Sequence, residues 1–570
     1  MNMQKFILFL VMQIFSVSFV YGQELDDIGN EKPLAINGST SFSQLFYGVS
    51  GIESRRVPYT YFANASLNLS IYGWSIPFSF SLSNQNTSFQ QPFNQYSINP
   101  SYKFVTAHLG YTSMSFSPYT VSGHIFLGAG IDVVPEGRWS LNALHGRFLK
   151  PVTYDTTYSD ATPAFERMGT GFKAGYKDGK NSIDFILFRS TDDLNSIGAL
   201  PDSLSIFAEE NLVVSFACGT TVLKQFLLHA ELAGSALTRD TRDTAIHQSH
   251  ILASPEFLFT SRSSSAYYQA FKASFNYQFS GQSIGLGFER IDPGYRTHGA
   301  YFFNSDLENI TINVASSLLK SKMQVNASVG TQRDNLDQEK LSSFRRMIGS
   351  INVNYTPSQQ ATLSAAYSTF QSFANIRSQF VDINQLSPYD NLDTLNFTQL
   401  SQSANLSFSY SLGKSEDRKQ NMSVNLMYQT AADKQGGVKQ NGGTAFYNTN
   451  VAYSINWVPQ NILMSFSLNT SVNRGSGIDS QTFGPVLSLS HTFFDKKFRL
   501  MFSSSYNNTN NQFTSGNAVL NFKTSGALTL KKKHVLTLSA AMIERKTNNA
   551  EQKSFTEFTG NVGYVYSFGL

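Results

Sequence analysis

The sequence predicts an all-β chain that closes into a large antiparallel transmembrane barrel. Three observations support this fold class: apolar and small polar side chains alternate along many segments, charged residues make up only 14% of the chain, and tight turns alternate with long polar loops. Alternation at period 2 is typical of a strand whose two faces differ. A membrane barrel needs this pattern around its whole wall, because lipid lies on one face and water on the other.

The alternation is clearest in three segments, at residues 405–412, 423–429 and 461–469. In the first segment, one face carries Leu406, Phe408, Tyr410 and Leu412, and the other carries Asn405, Ser407, Ser409 and Ser411. A soluble β-sandwich also alternates, because one face of each of its sheets is solvated. A sandwich does not require short and long connections to alternate over successive hairpins. The observed alternation of connection lengths therefore favours the barrel.

The composition argues against several other classes. Aromatic residues make up 14% of the chain, with 48 Phe and 27 Tyr, and the charged fraction is well below the ~25% of ordinary soluble chains. No stretch after residue 22 approaches the ~20 consecutive apolar residues of a membrane helix. The net charge of +4 is small for 570 residues and does not indicate nucleic-acid binding. The single cysteine, Cys218, lies in an apolar run, so we expect an inert side chain and no disulfide within the chain.

Short turns alternate with longer polar stretches along the chain from Phe165 onward. The turns lie at residues 177–180, 223–224, 280–282, 320–322, 357–358, 413–419, 459–460, 495–497 and 531–533. The longer stretches lie at residues 191–205, 238–261, 292–309, 332–342, 372–396, 431–442, 473–480, 507–513 and 547–553. The segments between them have roughly the length of a tilted membrane strand with some overhang. We expect the tight turns on the periplasmic side and the long loops outside.

This rhythm predicts about 19 strands between Phe165 and Leu570. Earlier strand candidates lie at Tyr59–Gly73, Ile76–Leu82, Tyr102–Tyr111, Thr120–Val134 and Arg138–Lys150. The expected total is about 24 strands, within a range of 22–26. An even number also puts both chain ends in the periplasm.

The first 22 residues have the pattern of a secretory signal peptide. Lys5 provides the positive charge, Phe6–Val20 is an apolar run, and Val20-Tyr21-Gly22 suits a cleavage site. Residues 1–22 are therefore predicted to direct export.

Residues 23–58 show no hairpin rhythm, and three interpretations stay open for them. They form a periplasmic tail, a small insert in the lumen, or an additional strand at Thr40–Gly48. Residues 59–570 are predicted to form the transmembrane barrel.

The final stretch, Asn561–Leu570, is predicted to be the strand that closes the barrel. Its alternate residues are apolar or aromatic on one side and small on the other. Asn561, Gly563, Tyr566 and Phe568 resemble the C-terminal assembly signal of bacterial outer-membrane barrels. Together with the Phe/Tyr/Ser/Asn strands and the rhythm of turns, the mature chain resembles outer-membrane barrels of the Bacteroidota type, with no known substrate.

The resemblance implies a location in the outer membrane, reached with the help of the signal peptide. It implies contact with the lipid bilayer and outer-membrane lipids, transient contact with the barrel-assembly machinery during insertion, and other envelope proteins as partners. It implies no nucleic-acid partner.

The sequence contains little that indicates catalysis. The nine His residues are scattered, and His247 and His250 are spaced for a helix but lie in a polar loop without a helical pattern. None of the common metalloprotease, hydrolase or redox motifs occurs. Gly128-Ala129-Gly130 lies inside an alternating strand, which favours a bend over a phosphate site. We predict a non-catalytic protein with no catalytic residues, no metal site and no cofactor.

Three charged residues are the candidate lumen charges: Lys173 and Asp184, which alternate with apolar neighbours, and Glu289, which opposes Phe288 and Arg290 near a strand end. Further positive charges in the N-terminal third are Arg55, Arg56, Arg138, Arg147 and Arg167. One interpretation is a charged constriction that selects solutes. The other is an ordinary wall whose charges pair across strands, and the mixed signs favour it.

Two functions are consistent with these observations. The favoured one is a non-catalytic subunit of an envelope complex for secretion, barrel assembly or nutrient uptake, with its lumen closed by loops or by a partner protein. Loops 238–261 and 372–396 are the candidates for folding inward. The alternative is a porin-like channel for passive solute passage.

The terminal signal leads to a first prediction. Replacing Tyr566 and Phe568 by serine is expected to lower the amount of protein in the outer membrane, because these aromatics belong to the assembly signal and to the closing strand. Immunoblotting of membrane fractions measures the effect. Unchanged membrane levels would argue against this role for Asn561–Leu570.

Overall fold

The structure is a computed structural model, and sixteen segments of the chain are described. They are residues 34–84, 94–154, 163–201, 204–247, 258–301, 303–339, 345–369, 372–375, 397–413, 415–432, 434–435, 438–439, 444–475, 479–511, 514–547 and 553–569. The predicted signal peptide, residues 1–22, lies outside them. Among the described residues, no helix is long and apolar enough to cross a membrane.

Thirty strand segments make up almost all of the regular structure. The first fifteen are β1 Ala35–Ser50, β2 Tyr59–Ile71, β3 Trp74–Ser83, β4 Gln95–Ile98, β5 Ser101–Tyr102, β6 Val105–Ser115, β7 Ser122–Val133, β8 Trp139–Leu149, β9 Glu166–Asp178, β10 Asn181–Asp193, β11 Glu210–Val222, β12 Phe226–Thr238, β13 Ser265–Phe279, β14 Gln282–Ile291 and β15 Leu307–Leu318. The others are β16 Met323–Arg333, β17 Arg345–Ser358, β18 Ala361–Ser368, β19 Ser372–Asn375, β20 Phe397–Leu412, β21 Arg418–Ala432, β22 Lys434–Gln435, β23 Val438–Lys439, β24 Thr444–Trp457, β25 Ile462–Arg474, β26 Ser480–Phe493, β27 Phe498–Asn511, β28 Thr514–Leu530, β29 His534–Thr547 and β30 Phe555–Gly569.

These segments form a closed antiparallel barrel of 26 strands. Twenty-eight of them belong to one sheet, in which β4 with β5, and β18 with β19, are two halves of interrupted strands. The remaining two, β22 and β23, make a small hairpin of their own. The predicted fold class is confirmed, and the count lies at the upper end of the predicted range.

Closure of the barrel joins β1 to β30. The two strands pair from Asn37 opposite Gly569 to Ser50 opposite Thr556, and β1 also pairs with β2 on its other edge. The barrel therefore begins before residue 59, and the predicted boundary there is wrong. Of the three interpretations of residues 23–58, the additional strand at Thr40–Gly48 matches β1.

The physical reason for the missed boundary is the weak amphipathicity of β1. Its outward face carries Phe42 and Phe46 but also Gln44, so lipid-facing and lumen-facing positions differ less than elsewhere. The second missed strand is β4 with β5, which Asn99-Pro100 interrupts. Proline cannot donate a backbone hydrogen bond between strands, and it interrupts the alternation of apolar and polar residues that would mark a continuous strand. From β9 onward the predicted number of strands agrees with the structure.

One end of the barrel carries tight turns, and the other carries the long loops. In the turns after β11, β15 and β28, consecutive non-glycine residues adopt positive φ angles, for example Leu223 at 50° and Lys224 at 60°. Two such residues in a row are typical of the hairpin turns that match the twist of the flanking strands. The short turn between β2 and β3 lies at this same end. The start of β1 and the end of β30 lie there too, as an even number of strands requires.

Much of the apolar packing lies inside the barrel instead of on its outside. One core consists of Met114, Phe116, Val121, Phe126, Leu144, Phe148, Ile186 and Phe188. These residues share the inward face of β6–β10, since the outward face of the same strands carries Ile183 and Phe185 at 44% and 42% exposure. Among the described residues, this core fills part of the barrel interior, on the side of β6–β10.

Closure can be tested with a disulfide between β1 and β30. In a Cys218→Ser background, we expect Ser41→Cys with Val565→Cys to cross-link readily, because these positions lie directly opposite each other and directly opposed Cβ atoms approach a disulfide's reach. Non-reducing electrophoresis of the denatured protein measures the cross-link. The control, Ser41→Cys with Ser567→Cys, is displaced by two residues and should cross-link severalfold less. Equal cross-linking of both pairs would contradict the register.

Candidate functional site in the barrel lumen

The hairpin of β6 and β7 bends out of the wall into the lumen. On one side, β6 pairs with β4 only as far as Ser97 opposite Gly110, whereas its pairing with β7 continues to Ser115 opposite Ser122. Gly110 has φ +91°, a conformation that favours glycine, and it lies where β6 leaves its neighbour. Among the described residues, the outer half of β6 has no strand partner on the β4 side.

The bent hairpin lies on the inner face of the neighbouring strands. A Cβ atom at Gly171 of β9 would lie 2.9 Å from a ring carbon of Phe116, so this glycine provides the space for the aromatic ring. The Lys173 ammonium donates a hydrogen bond to the carbonyl of Phe116 at 3.5 Å. The tip of the hairpin therefore rests on β9.

The loop between β14 and β15 folds inward and joins this hairpin. The backbone N–H of Ser122 donates to the carbonyl of Gly299 at 2.9 Å, and the Thr297 hydroxyl donates to the carbonyl of Thr120 at 2.6 Å. The Tyr295 hydroxyl donates to the carbonyl of Tyr119 at 2.9 Å. We call residues 116–121 together with the described residues of 292–306 the lumen shelf.

Buried polar side chains attach the shelf to the wall. Asn211 of β11 accepts a hydrogen bond from the backbone N–H of His298 at 3.1 Å, and Ser235 of β12 donates to the carbonyl of Arg296 at 2.6 Å. Asn211 also donates to Ser235 at 2.9 Å. Both wall residues have no solvent exposure. Because an unpaired buried polar group costs ~1–3 kcal/mol, these paired groups specify one position of the loop.

A cluster of charged residues lies where the shelf meets the outer rim. Arg167 donates to Asp192 at 2.6 Å and to Glu209 at 2.9 Å, and Arg296 donates to Glu209 at 2.9 Å. His298, which is fully buried, has its Nδ1 2.8 Å from the Ser190 hydroxyl and its Nε2 3.2 Å from Glu209. Two guanidinium groups and two carboxylates therefore balance one another around a histidine.

This environment sets the charge of the two titratable loop residues. Burial lowers the pKa of His298, and the positive charge of Arg167 lowers it further, to about 3. Burial would raise the pKa of the Glu209 carboxyl, but the contact with His298 and the charges of Arg296 and Arg167 outweigh burial and lower that pKa to about 2. At neutral pH, His298 is therefore neutral and Glu209 is charged.

A second polar feature runs across the inner wall below the shelf. Successive strand registers place Asp184, Ala217, Glu231, Lys272, Glu289, Asn309 and Gln332 in one row from β10 to β16. Charges of opposite sign alternate along the middle of this row. We call it the wall row.

The three sequence-predicted lumen charges all face the interior and lie on or beside the wall row. Lys173 forms an ion pair with Asp184 at 3.1 Å. Glu289 accepts hydrogen bonds from the Tyr119 hydroxyl at 2.5 Å and from Asn309 at 3.1 Å. The structure brings Lys173 and Asp184 together and leaves Glu289 at a separate place, under the shelf. The geometry supports paired wall charges more than a ring of one sign.

Several residues of this site were not among those predicted from the sequence. Glu231 and Lys272 have the same signal as the three candidates, since each lies between two apolar or small residues of a strand. Glu209, Arg296 and His298 lie in loops, where no periodicity marks the inward side. Arg167 was recognised only as one of several scattered arginines.

The predicted terminal signal residues occupy both faces of the closing strand. Asn561 and Gly563 face the lumen opposite Leu45 and Ser43 of β1. Tyr566 and Phe568 face outward, with ring centroids 5.5 Å apart. Their role in assembly stays a prediction.

Of the two loops expected to narrow the lumen, the described part of loop 238–261 differs from the expectation. Phe259, in the described part of loop 238–261, is fully buried against Leu212 and Ala236 on the outward face of β11 and β12. Arg262, which directly follows this loop, pairs with the outward-facing Glu210 at 3.1 Å. The described end of the loop therefore packs on the outside of the rim, and the shelf is formed by other segments. Most of loop 372–396 lies outside the described residues.

The opposite half of the lumen wall is lined mainly by amides and hydroxyls. Asn425 donates to Asn450 at 3.4 Å, and Asn450 in turn donates to Asn469. Ser465 and Ser488 are also hydrogen-bonded, at 2.5 Å. These residues continue the same inward face across β21, β24, β25 and β26. The described inward faces of these four strands are mainly neutral and hydrophilic.

The described residues contain no group of three or more His, Cys, Asp or Glu side chains arranged to hold a metal ion. His247 is described, whereas His250, the second residue of the spaced pair, lies outside the described residues.

Comparison with known proteins adds weak similarity to membrane barrels. No protein-family model and no curated protein match the chain. The P pilus usher (PapC) translocation pore is 10% identical with a TM-score of 0.37, over 94% of this chain and 99% of that one. The FrpB iron transporter from Neisseria meningitidis is 10% identical with a TM-score of 0.37, over 95% and 84%. The copper transporter OprC is 9% identical with a TM-score of 0.36, over 94% and 80%. At these scores the similarity says nothing about cargo or partners.

The charge state of the shelf predicts a pH dependence. When the shelf opens, His298 regains a pKa near 6.5, so acidification from pH 7 to pH 4 protonates the open state and not the buried one. The free energy of opening should fall by about 3 kcal/mol, at about 1.36 kcal/mol per unit. Below the ordinary Glu pKa, Glu209 adds to the loss. Hydrogen exchange of residues 293–301 measures it.

The matched control is His298→Asn, which removes the titrating group and keeps a polar side chain. In this variant, the fall in the free energy of opening between pH 7 and pH 4, obtained from exchange rates corrected for the intrinsic pH dependence of amide exchange, should shrink to the small part that Glu209 contributes. The same pH slope in the variant and the native protein would contradict the assignment to His298.

Proposed function

We propose that this protein is a non-catalytic translocation conduit of the outer membrane, that it acts as a subunit of an envelope complex, and that a partner protein narrows its lumen. The observation that carries this proposal is the mismatch between the width of the barrel and the small arc that its shelf occupies. Residues 1–22 direct export, and the barrel-assembly machinery inserts the chain into the lipid bilayer.

The width follows from the strand number. With strands about 4.8 Å apart and tilted by roughly 40°, a circular wall of 26 strands is about 50 Å across between backbones. Barrels of 16–18 strands already leave an aqueous channel. Side chains alone cannot fill a lumen of this size.

The shelf covers only part of this lumen. Its described contacts are with strands β7 and β9–β15, through residues such as Gly171, Asn211 and Glu289. An outer membrane loses its barrier if such a lumen stays open, so a second protein fills the uncovered part when cargo is absent.

The neutral half of the wall suits the passage of a large hydrophilic cargo. Amide and hydroxyl side chains exchange hydrogen bonds with water and with polar cargo without the strong attraction of fixed charges. Charged residues on the inward face of this side include Lys523 in the middle of β28, Arg499 of β27, which donates to Ser490 at 2.9 Å, and Glu557 of β30, which pairs with Arg55 at 2.6 Å.

A porin-like channel is the second candidate, and the anchored shelf favours it. A loop held against the inner wall by Asn211 and Ser235 narrows a pore without a partner. In this alternative, the wall row beside the shelf contacts the solute and biases its charge.

The two functions predict different currents. If the barrel is a conduit, gentle detergent extraction recovers it with at least one other envelope protein, and the purified barrel in planar bilayers shows large, poorly selective conductance. The shelf covers a minor part of the cross-section, so replacing residues 293–305 by a short Gly-Ser linker should raise the conductance by no more than about a quarter.

The porin alternative predicts the opposite results. The barrel would purify alone with small, steady, solute-selective currents, and removal of the shelf would raise its conductance severalfold. Those results would overturn the conduit proposal. Far-UV circular dichroism of the shelf variant controls for loss of the barrel.

A further inference from the structure

A cavity of about 480 Å³ lies where the lumen shelf meets the wall row. Three elements contribute to it: the tip of the β6–β7 hairpin, the loop between β14 and β15, and the strands β14–β16. The residues that define its chemistry are Tyr119, Glu289, Tyr301, Phe303, Asn309 and Gln332. Its volume is in the range of small-molecule sites, about 300–1,000 Å³. We call it the shelf cavity.

The floor of the shelf cavity is an ordered hydrogen-bond chain. Gln332 donates to Asn309 at 2.9 Å, and Asn309 donates to Glu289 at 3.1 Å. The Tyr119 hydroxyl donates to the other carboxylate oxygen of Glu289 at 2.5 Å. Asn309 and Gln332 are only 7% and 6% exposed, so their positions are fixed before any ligand arrives. A carboxylate has about four acceptor positions, which leaves Glu289 able to accept further hydrogen bonds.

Aromatic rings form the side of the shelf cavity. Tyr301 stacks on His124 with ring centroids 4.0 Å apart, and its hydroxyl accepts a hydrogen bond from the backbone N–H of Ile125 at 3.1 Å. Both contacts hold the ring in place, while the side chain remains 43% exposed. Phe303 packs on Tyr295 at 5.1 Å and continues the apolar surface. A rigid, half-exposed ring is a suitable platform for a flat apolar face of a ligand.

The charges around the shelf cavity argue for a neutral ligand. The Glu289 carboxylate repels anions, and Lys272, which lies between Glu289 and Glu231 in the registers of β12, β13 and β14, offsets part of the negative charge. A hard cation binds six or more oxygen ligands. The groups around Glu289 are instead hydrogen-bond donors, the Tyr119 phenol and the Asn309 amide, and they do not form such a ligand set. What remains is a ligand with many hydroxyl groups and an apolar face.

We propose that the shelf cavity binds a neutral saccharide, with its ring on Tyr301 and its hydroxyl groups on Glu289, Asn309 and Gln332. Sugar hydroxyls both donate and accept, which matches a carboxylate next to two amides. This site goes beyond the proposed conduit function, because binding to the isolated barrel does not depend on partners or on conductance.

Calorimetric titration of the purified, detergent-solubilised barrel tests the proposal. The probes are glucose, maltohexaose, glucosamine and glucuronate, added separately. We expect both neutral sugars to bind and the two charged sugars to bind at least severalfold more weakly. Tighter binding of maltohexaose than of glucose identifies a polysaccharide chain as the source, and equal affinities identify a free sugar.

Matched variants on one strand complete the test. Gln332→Ala removes the end of the hydrogen-bond chain and should weaken neutral-sugar binding about 3–10-fold. Gln324→Ala lies on the same face of β16, near the turn end, and should leave binding unchanged. Glu289→Gln removes the carboxylate and should weaken binding about tenfold. A heat-dependent electrophoretic shift verifies that each variant is a folded barrel.

Three results would overturn the proposal: no heat of binding with either neutral sugar, tighter binding of glucosamine or glucuronate than of glucose, or equal affinities of Gln332→Ala and Gln324→Ala for the neutral sugars. None of these depends on whether the barrel copurifies with a partner, so the proposal and the conduit function fail separately.

Discussion

The pairing of β1 with β30 is the constraint on which the rest of the structure depends. Inside the hydrocarbon layer, every backbone N–H and C=O group must find a partner in the protein, because an unpaired group costs several kcal/mol. An open sheet would leave two unpaired edges in lipid. The continuous register from Asn37 opposite Gly569 to Ser50 opposite Thr556 removes both edges. Closure also requires each strand to keep one face toward lipid and one toward the lumen.

A wide closed wall creates an interior that side chains cannot fill, and the protein fills one side of it with its own loops. The shelf can pack against the wall because the wall residues beneath it have small side chains. Gly169 and Gly171 of β9 leave room for Phe148 and Phe116, whose ring atoms would lie within 3 Å of an added Cβ. A larger residue at Gly171 would push the hairpin of β6 and β7 toward the lumen axis, and one at Gly169 would clash with Phe148 of β8. Small residues on β9 and large residues on the hairpin and on β8 are thus complementary parts of one core.

The same side of the barrel holds most of its buried charge, and the charges there are balanced. Arg167 and Arg296 surround Glu209, and Asp192 completes the cluster. Removing one partner from such a group leaves a buried charge without compensation, which costs ~3–5 kcal/mol. The cluster therefore ties the position of the shelf to the outer ends of β9, β10 and β11. On the described inward faces of β21, β24, β25 and β26, amide and hydroxyl side chains take the place of such a charge cluster.

The sequence by itself determined the fold class, the order of turns and loops, and the inward direction of Lys173, Asp184 and Glu289. These properties follow from period-2 alternation and from turn chemistry, which are local and repeat from strand to strand. Two strands were not predicted from the sequence. Gln44 weakens the alternation of apolar and polar residues in β1, and Asn99-Pro100 interrupts the alternation across β4 and β5. Only the tertiary structure decided which loops enter the lumen. Loops 238–261 and 292–306 are both long and polar, yet Phe259 packs outside the rim and Tyr295 packs inside. Which loop enters the lumen depends on contacts with residues far away in the chain, such as Thr120, Asn211 and Ser235. No local sequence pattern indicates these contacts.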